Sequence, residues 1–301
     1  MKSGILLLNK PTGISSSRVL TPLKRTFPGM RIGHTGTLDP FAQGLLVVLV
    51  GTATKLSHWF LKLEKRYIAE IALGAETDTL DTEGTVVAEA PVPTFDAIRT
   101  AAQQYRGTIM QTPPMYSALK IDGQRAYRRA RRGEMVEIPP RPVEIFDLSI
   151  EPGNGNDRAV LSTHCSSGTY IRALARDIAT SAGSRGYCVA LRRTWVGPFS
   201  LEHAVTPEQI TEAVAPERNL LSIREAVERL RVMPIVTADS DTVRHLRNGK
   251  AIEHRMAELS LSPESPEETL VVDDTSDDAV AIIAHSEDAW SYRTVFPEGA
   301  S

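Results

Sequence analysis

The chain has 301 residues, 42% of them hydrophobic and 24% charged, which is ordinary for a globular protein with one large and one smaller domain. It contains no apolar run of the ~18 residues needed to cross a bilayer, and its N-terminus has no signal-peptide layout. The two cysteines, Cys165 and Cys188, have neither metal-ligand spacing nor a disulfide framework. These features argue against membrane-spanning and secreted classes and predict a cytoplasmic protein with reduced thiols.

The net charge of −3 is divided unevenly along the chain. Residues 1–230 carry 28 basic and 23 acidic side chains, whereas residues 231–301 carry 6 and 14. The first part therefore has a surplus of +5 and can hold a polyanion, and the second, at −8, on average repels one.

The first predicted element is a buried strand over residues 5–8, which ends in a turn that contains Pro11 and Gly13. Lys10 lies in this turn, where it could be either a solvated residue or a phosphate contact. The serines at 15–17 can cap a short helix. Its apolar face would hold Val19, Leu20, Leu23 and Phe27.

A stretch rich in glycine and small polar residues follows over 33–44, and its composition favours a loop over a helix or a strand. Asp39 precedes Pro40, which disfavours helical backbone at Asp39, so its carboxylate should project from a tight turn. The apolar run 45–50 then has the length of a buried strand. A carboxylate and an imidazole, His34, on a stiff loop beside such a strand suit catalysis. Local pattern alone favours a turn in which Asp39 hydrogen-bonds nearby amides.

The middle of the chain predicts a helical segment over 52–63, a strand over 65–73 with Tyr67 on its apolar face, and a helix over 94–105 that Thr94 caps. A tyrosine in a half-buried strand is usually a core residue. The acidic residues of the intervening loop lack a calcium-loop pattern and are interpreted as solvated. They are Asp78, Asp81 and Glu83.

The segment 120–132 is the most basic in the chain, with a net charge of +5. Its cations are Lys120, Arg125, Arg128, Arg129, Arg131 and Arg132. A solvated arginine-rich helix is the simple interpretation. The interleaved aromatic rings of Tyr116 and Tyr127 favour contact with single-stranded RNA instead.

Two strands, 143–150 and 159–165, should pair around a Gly-Asn turn, and an amphipathic helix should follow over 170–182. Arg172 would begin this helix, where it could be a surface ion-pair partner. Beyond residue 230, short strands at 269–272, 279–285 and 290–296 predict a small β-rich module after an acidic loop.

Five sequence blocks together resemble the TruB family of tRNA pseudouridine synthases. They are Gly-His-Thr-Gly-Thr-Leu-Asp-Pro at 33–40 with Ala-Gln-Gly-Leu-Leu at 42–46, Lys-Arg-Tyr at 65–67, Pro-Pro-Met-Tyr-Ser-Ala-Leu-Lys at 113–120, Gly-Thr-Tyr-Ile-Arg at 168–172 and Leu-Arg-Arg at 191–193. They stand in the family's order over about the first 230 residues. Asn9 departs from the family, which usually has aspartate there.

The resemblance implies an α+β fold, in which a mixed, mainly antiparallel sheet is flanked by helices. A catalytic domain would span 1–230, with an RNA-binding insertion near 105–140. The module at 231–301 resembles a PUA-type RNA-binding domain, on the Leu-Arg-Asn-Gly-Lys block at 246–250 and the closing Val-Phe-Pro.

The same resemblance implies roles for individual residues. Asp39 would be the catalytic aspartate and Arg172 its ion-pair partner. Tyr67 would lie against the target base, Leu191 would pack beside the reacting nucleotide, and His34 would support the extruded nucleotide or merely stabilise the turn. Lys10, Lys120, Arg125, Arg128, Arg129 and Arg132 are the expected RNA contacts.

The implied reaction is isomerisation of the T-loop uridine of tRNA (position 55) to pseudouridine by a monomer, with no metal or other cofactor. Asp39 could attack the sugar, attack the base or remove a ribose proton. One rival is a tRNA-binding or tRNA-folding protein whose chemistry is secondary or lost, which the presence of Asp39, Tyr67 and Arg172 argues against. A second is a guide-RNA-dependent pseudouridine synthase, for which a basic tail would be expected rather than this acidic one.

Overall fold

The structure is a computed structural model that describes residues 2–116, 120–121, 124–125, 138–262, 266–286 and 289–299, with only the backbone at 120–121 and 124–125. Among these residues no helix is both long and apolar enough to span a membrane.

The strands of the larger part of the chain account for most of its regular structure. They are β1 (Gly4–Lys10), β2 (Ile32–His34), β3 (Gln43–Val50), β4 (Lys65–Leu73), β5 (Ala75–Thr77), β6 (Val86–Glu89), β7 (Gly107–Gln111), β8 (Lys120–Ile121), β9 (Gln124–Arg125), β10 (Arg141–Pro152), β11 (Arg158–Cys165), β12 (Gly186–Val196), β13 (Phe199–Ser200) and β14 (Leu220–Leu221). Ten of the described strands form one sheet, in the order β14-β1-β3-β12-β4-β11-β10-β7, with β2 beside β3 and β13 beside β12. All its pairings are antiparallel except that of β12 with β3.

Helices flank this sheet, and a second, four-stranded sheet follows. The α-helices are α1 (Leu20–Thr26), α2 (Ser57–Leu61), α3 (Phe95–Gln103), α4 (Ile171–Ser181), α5 (Pro207–Thr211), α6 (Ile223–Leu230) and α7 (Ser240–Arg247). The strands of the second sheet are β15 (Ile235–Ala238), β16 (Glu268–Asp273), β17 (Ala279–Ser286) and β18 (Ala289–Val295). The α+β class and the mixed, mainly antiparallel sheet expected from the sequence are confirmed.

Strands β1 and β3 lie side by side towards the β14 edge of the large sheet and are buried on both faces. Their antiparallel register runs from Gly4 opposite Val50 to Lys10 opposite Gly44. Alternate side chains point to opposite faces of a strand, so each strand contributes to two apolar clusters, one on either side of the sheet. This two-sided burial explains why both strands are continuous apolar runs rather than alternating ones.

On strand β4 and its neighbours only one face is buried. Ala69 and Ile71 of β4 pack with Leu174 and Ile178 of α4, while Ile68 on the opposite face is 45% exposed. The strand therefore alternates, and the predicted period is confirmed. Helix α4 lies over the buried face, which brings its first residues close to β4 and β12.

The second sheet shares its core with the first. Leu270, Ile282 and Phe296 of the C-terminal part belong to the same apolar cluster as Phe60 and Phe199. Trp59 Nε1 also donates a hydrogen bond to Glu268 Oε2 at 3.1 Å. The two sheets thus share one apolar cluster, to which helix α6 also contributes Ile223 and Val227.

Several predicted elements differ in detail. The serines at 15–17 do not cap α1, whose N-cap is Val19 without a side-chain hydrogen bond. Ser16 is instead used in a distant contact with Leu38, described below. The helical segment 52–63 consists of a 3₁₀ turn followed by α2, and the loop 33–44 begins inside β2. Helices α5, α6 and α7 were not predicted. The Thr94 cap of α3 is confirmed, since its side chain accepts from Ala97 N.

Candidate active site

A cavity of about 260 Å³ opens between the loop after β2, strands β4 and β12, and the start of α4. Asp39 comes from the loop, Tyr67 from β4, Arg172 from α4, and Leu191 and Arg193 from β12. Four of these five were predicted as site residues from the sequence. The four predicted residues are separated by up to 152 positions in the chain, and all of them line the same cavity.

The loop that carries Asp39 is held by hydrogen bonds on both sides of this residue. Ser16 Oγ donates to Leu38 O and accepts from Leu38 N, both at 2.8 Å. Gly13 N donates to Pro40 O at 2.8 Å, and Ala42 N donates to Asp39 O at 3.1 Å. The segment that follows β1 therefore fixes the loop that carries Asp39 from outside, which is the kind of support that a precise functional site needs.

Lys10 belongs to this support rather than to a surface. Its side chain is fully buried, and Nζ donates to the carbonyls of Pro11, Ile14 and Pro40 at 2.9, 2.7 and 3.4 Å. Burial lowers the pKa of Lys10 from 10.5 to about 8, against the attraction of Asp39. The two interpretations of Lys10 from the sequence, a solvated turn residue and a phosphate contact, are both wrong, because no part of the side chain reaches solvent.

Arg172 bridges two carboxylates that are distant in sequence. Its Nε lies 2.9 Å from Asp39 Oδ2, and its Nη1 lies 2.9 Å from Asp81 Oδ2. Nη1 also donates to Thr79 O at 2.5 Å and Nη2 to Tyr116 O at 2.9 Å. A guanidinium is planar and rigid, so the three hydrogen bonds of Nη1 and Nη2 orient it, and Nε is left facing Asp39 as its ion-pair partner.

Asp81 was predicted to be solvated and is in fact 2% exposed. Its second oxygen accepts from Thr79 Oγ1 at 2.6 Å and from Glu83 N at 3.0 Å. The backbone of Asp81 is also fixed, because it forms an isolated β-bridge with Cys188 of β12. The prediction failed because the loop after β5 folds back onto the sheet, which a local sequence pattern does not reveal.

The Asp39 carboxyl is in a mixed electrostatic environment. Burial raises its pKa above the ordinary value, the charge of Arg172 acts to lower it, and the negative charge of Asp81 raises it. Its side chain keeps 34% of its surface exposed, towards the cavity, whereas Arg172 keeps 4%. The carboxylate is therefore the accessible member of the pair.

Tyr67 and Arg193 face each other across β4 and β12 in the antiparallel register. Arg193 is 2% exposed; its Nε donates to Leu45 O at 2.7 Å and its Nη2 to Gly36 O at 3.1 Å. Burial raises the pKa of Tyr67, and Arg193 acts to lower it through its charge and a hydrogen bond. Arg193 thus connects the tyrosine with both ends of the loop that carries Asp39, a role that sequence reasoning missed.

The backbone that leads into α4 is fixed by the Gln111 side chain, which pairs with Tyr170 through two hydrogen bonds, as the backbone of a neighbouring strand would. The Gln111 amide accepts from Tyr170 N at 2.8 Å and donates to Tyr170 O at 3.1 Å. Arg141 lies over the Tyr170 ring at 5.1 Å and donates to Gly168 O at 2.5 Å. These contacts position the backbone that leads into Arg172, and neither Gln111 nor Arg141 was predicted from the sequence.

The remaining predicted residues are placed less directly or not at all. Leu191 is 6% exposed and lines the cavity as expected. His34 ends β2 opposite Val48 and is not among the described residues that line the cavity. Of the basic segment, Arg128, Arg129, Arg131 and Arg132 lie outside the described residues, and for Lys120 and Arg125 only the strand backbone is described.

Comparison with family models places nearly the whole cavity within known domains. Residues 24–171 match the N-terminal domain of the TruB family pseudouridylate synthases, and residues 172–245 match the C-terminal domain of tRNA pseudouridylate synthase B. The boundary between the two matches falls between Ile171 and Arg172, so Asp39 and Arg172 come from different matched regions.

Curated relatives are similar over most of the chain. The tRNA pseudouridine synthase B of Methylobacillus flagellatus is 43% identical over 254 residues, which cover 83% of this chain and 82% of the relative. That of Bordetella avium is 45% identical over 226 residues, 74% of this chain and 92% of the relative.

Solved structures share the fold at low sequence identity. A Cbf5–Nop10–Gar1 complex contains a chain with a TM-score of 0.67 at 21% identity, which covers 97% of this chain and 84% of that one. An H/ACA RNP bound to a substrate RNA containing 2′-deoxyuridine gives 0.65 at 20% identity, with 95% and 79% covered.

Proposed function

This chain belongs to the TruB family of pseudouridylate synthases, and we propose that it isomerises the T-loop uridine of tRNA, at position 55, to pseudouridine in the cavity above Asp39. The observation that carries the proposal is the Asp39–Arg172 ion pair, whose accessible member projects into that cavity. The names of the relatives support tRNA as the substrate.

The reaction requires one carboxylate and a pocket that retains the detached base. The bond from N1 of uracil to ribose C1′ breaks, a bond from C5 to the same carbon forms, C5 loses a proton and N1 gains one. Because the detached base supplies the new bond, the second carboxylate with which most glycosidases activate water is not required. Asp39 is the one carboxylate among the described residues that line the cavity.

The other cavity residues suit an extruded nucleotide. A base in a folded loop must leave its stack before it can react, and it then needs a new surface to lie against. The Tyr67 ring and the Leu191 side chain, both of which line the cavity, offer such surfaces. The charge of Arg172 favours the ionised form of Asp39 and orients it, and Arg193 holds Tyr67 and the loop in register. His34, at the end of β2, would support the extruded nucleotide from the start of the loop that carries Asp39.

Recognition of the rest of the tRNA is assigned to two regions. The basic segment 120–132 would close over the T arm, and the C-terminal part after residue 230 would contact the RNA as a PUA-type module. The protein would act in the cytoplasm, as a monomer and without a cofactor.

The decisive experiment incubates the purified protein with an unmodified tRNA transcript and maps pseudouridine with a chemical that reacts specifically with it. We expect one product, in the T loop, from the protein alone. Asp39→Asn should bind the transcript with nearly unchanged affinity and yield no product, since it keeps the size of the side chain but loses its charge.

Each rival makes a different prediction for this assay. A tRNA-binding protein with lost chemistry would bind the transcript and leave the uridine unmodified. A guide-dependent enzyme would yield product only after a guide RNA is added. Turnover by Asp39→Asn close to that of the wild type would overturn the assignment of Asp39 itself.

A further inference from the structure

The first 63 residues carry eight basic side chains and a single acidic one, Asp39. Lys10 is buried, but most of the other cations are exposed and gather around helix α1. We call the group that lines the grooves of this helix the α1 basic surface. It consists of Arg18, Lys24, Arg25, Arg31 and Lys55.

Helix α1 separates two surface grooves that share this charge. Arg18 and Arg25 line one groove, together with threonine hydroxyls that include Thr211. Lys24, Arg31 and Lys55 line the other. No carboxylate lines either groove among the described residues.

The cations of the α1 basic surface differ from several arginines elsewhere in the protein in whether a carboxylate lies nearby. Arg99, Arg106 and Arg158 lie within 4.0 Å of a carboxylate, those of Asp96, Asp147 and Asp157. Within the described part of the chain, no carboxylate lies within that distance of a cation of the α1 basic surface. Unneutralised charges of one sign add up to a positive field that attracts a polyanion.

The position of the surface connects it with the active site at one end and with the C-terminal sheet at the other. Ser16 lies two residues before Arg18 and forms two hydrogen bonds with Leu38, the neighbour of Asp39. Strand β2 begins at Ile32, next to Arg31, and ends at His34. Because three residues of a strand span ~10 Å, His34 lies about that far from Arg31 along the chain. Lys55 Nζ donates to Val295 O at 2.5 Å and lies 5.5 Å from the Phe296 ring centroid.

We infer that the α1 basic surface binds the phosphodiester backbone of an RNA stem that adjoins the reacting nucleotide and runs towards the C-terminal sheet. The inference rests on the proposed function, because it takes the same RNA to be the ligand. A protein partner fits less well, since interface cores need large apolar or aromatic anchors. Among the large hydrophobic residues that are exposed in the described chain, Val214 alone adjoins the lining of these grooves, and a single valine is not a large or aromatic anchor.

The test measures tRNA affinity as a function of salt for Lys24→Gln/Arg25→Gln/Arg31→Gln. The matched control is Arg99→Gln/Arg106→Gln/Arg158→Gln, which loses the same charge at ion-paired positions. Each lost phosphate contact lowers the logarithmic salt slope by about 0.7–0.9, so the α1 variant should lose about 2 units. The control should lose less than one unit by the same rule.

Product formation provides the second measurement. At limiting enzyme the α1 variant should form product more slowly in proportion to its weaker affinity, and the deficit should shrink as enzyme is raised towards saturation. Equal salt slopes for the α1 variant and the wild type, or an equal loss in the control, would overturn the inference. That result leaves the proposed function standing if the wild type makes pseudouridine, whereas a wild type without product would overturn the proposed function.

Discussion

The side chain of Arg172 shows how the site balances its charges. Removing one partner of a buried ion pair leaves an uncompensated charge and is strongly unfavourable. Arg172 has two carboxylate partners, the accessible Asp39 and the buried Asp81. Asp81 is therefore a positioning residue that holds the guanidinium while Asp39 remains free to face the substrate.

This arrangement predicts a specific effect of Asp81→Asn. The variant keeps the side-chain volume but loses the charge that faces Arg172 Nη1, so the guanidinium becomes free to turn towards Asp39 or to tilt away. A lost hydrogen bond to a buried charged group costs ~1–3 kcal/mol, which predicts a fall in turnover of roughly 5- to 150-fold with a smaller change in tRNA affinity. Single-turnover rates at saturating enzyme measure this.

Asp78→Asn is the matched control, because Asp78 is exposed in the same loop and its carboxylate accepts from Thr85 N, with no contact to Arg172 among the described residues. Its rate should equal that of the wild type. If both variants behave alike, Asp81 does not act through Arg172.

Tyr67 makes a second prediction at this scale. Tyr67→Phe retains the ring against which a base can stack, and Tyr67→Leu does not. Since stacking contributes ~1–3 kcal/mol per base, we expect Leu to weaken binding and Phe to preserve it. Turnover should fall in both, because the hydroxyl near Arg193 is lost in both.

Equilibrium binding and single-turnover rates, compared at equal folded fraction, separate the two effects. A Phe variant that binds as poorly as the Leu variant would remove the stacking role. A Phe variant with the turnover of the wild type would show that the hydroxyl is not used.

Among the elements, the contact between β3 and β12 decides where the catalytic loop ends. Gly44 has a φ of +107° and lies so close to β12 that a Cβ would stand 2.3 Å from Arg193 O. The only parallel pair of the described large sheet is formed here, by residues 43–44 with 192–193. Gly44 is thus required both by its conformation and by its neighbour.

Gly44→Ala should consequently be more damaging than an equivalent change elsewhere. Gly107 has a φ of +84°, and a Cβ at this position would meet no atom within 4 Å, so Gly107→Ala introduces conformational strain alone. Strain of this kind costs ~1–3 kcal/mol, and overpacking should add a further ~1–3 kcal/mol at Gly44. Urea unfolding measures both variants. Equal destabilisation would mean that β12 moves aside at little cost.

For the molecule as a whole, the shared core predicts that both sheets unfold together. Phe296 is fully buried in the cluster that joins the sheets, and Leu246 is fully buried in the separate cluster of the C-terminal part. Phe296→Ala should cost ~3–5 kcal/mol and Leu246→Ala ~2–5 kcal/mol. Both should lower the midpoint of one cooperative thermal transition.

Calorimetry with two spectroscopic probes checks this expectation. Two separate transitions, with Leu246→Ala moving only one of them, would show that the C-terminal sheet is an independent unit. Such a result would support the division at residue 230, which stays a prediction.

The sequence by itself determined the elements whose patterns are local. The apolar runs of β1 and β3, the alternation of β4, the Thr94 cap and the amphipathic α4 follow from short-range periodicity and hydrogen bonding, so each was predicted close to its observed bounds. The family motifs identified Asp39, Tyr67, Arg172 and Leu191, because their spacing within short blocks resembles the family's.

Only the tertiary structure decided what surrounds those residues. Lys10, Asp81 and Arg193 are charged side chains that a sequence pattern assigns to solvent, and each is buried because chain segments from elsewhere supply its partners. Burial of a charge depends on neighbours that come together only in the fold, and no local period records them. For the same reason the surplus of cations in the first 63 residues became a surface only when the fold brought α1, β2 and the turn after β3 next to one another.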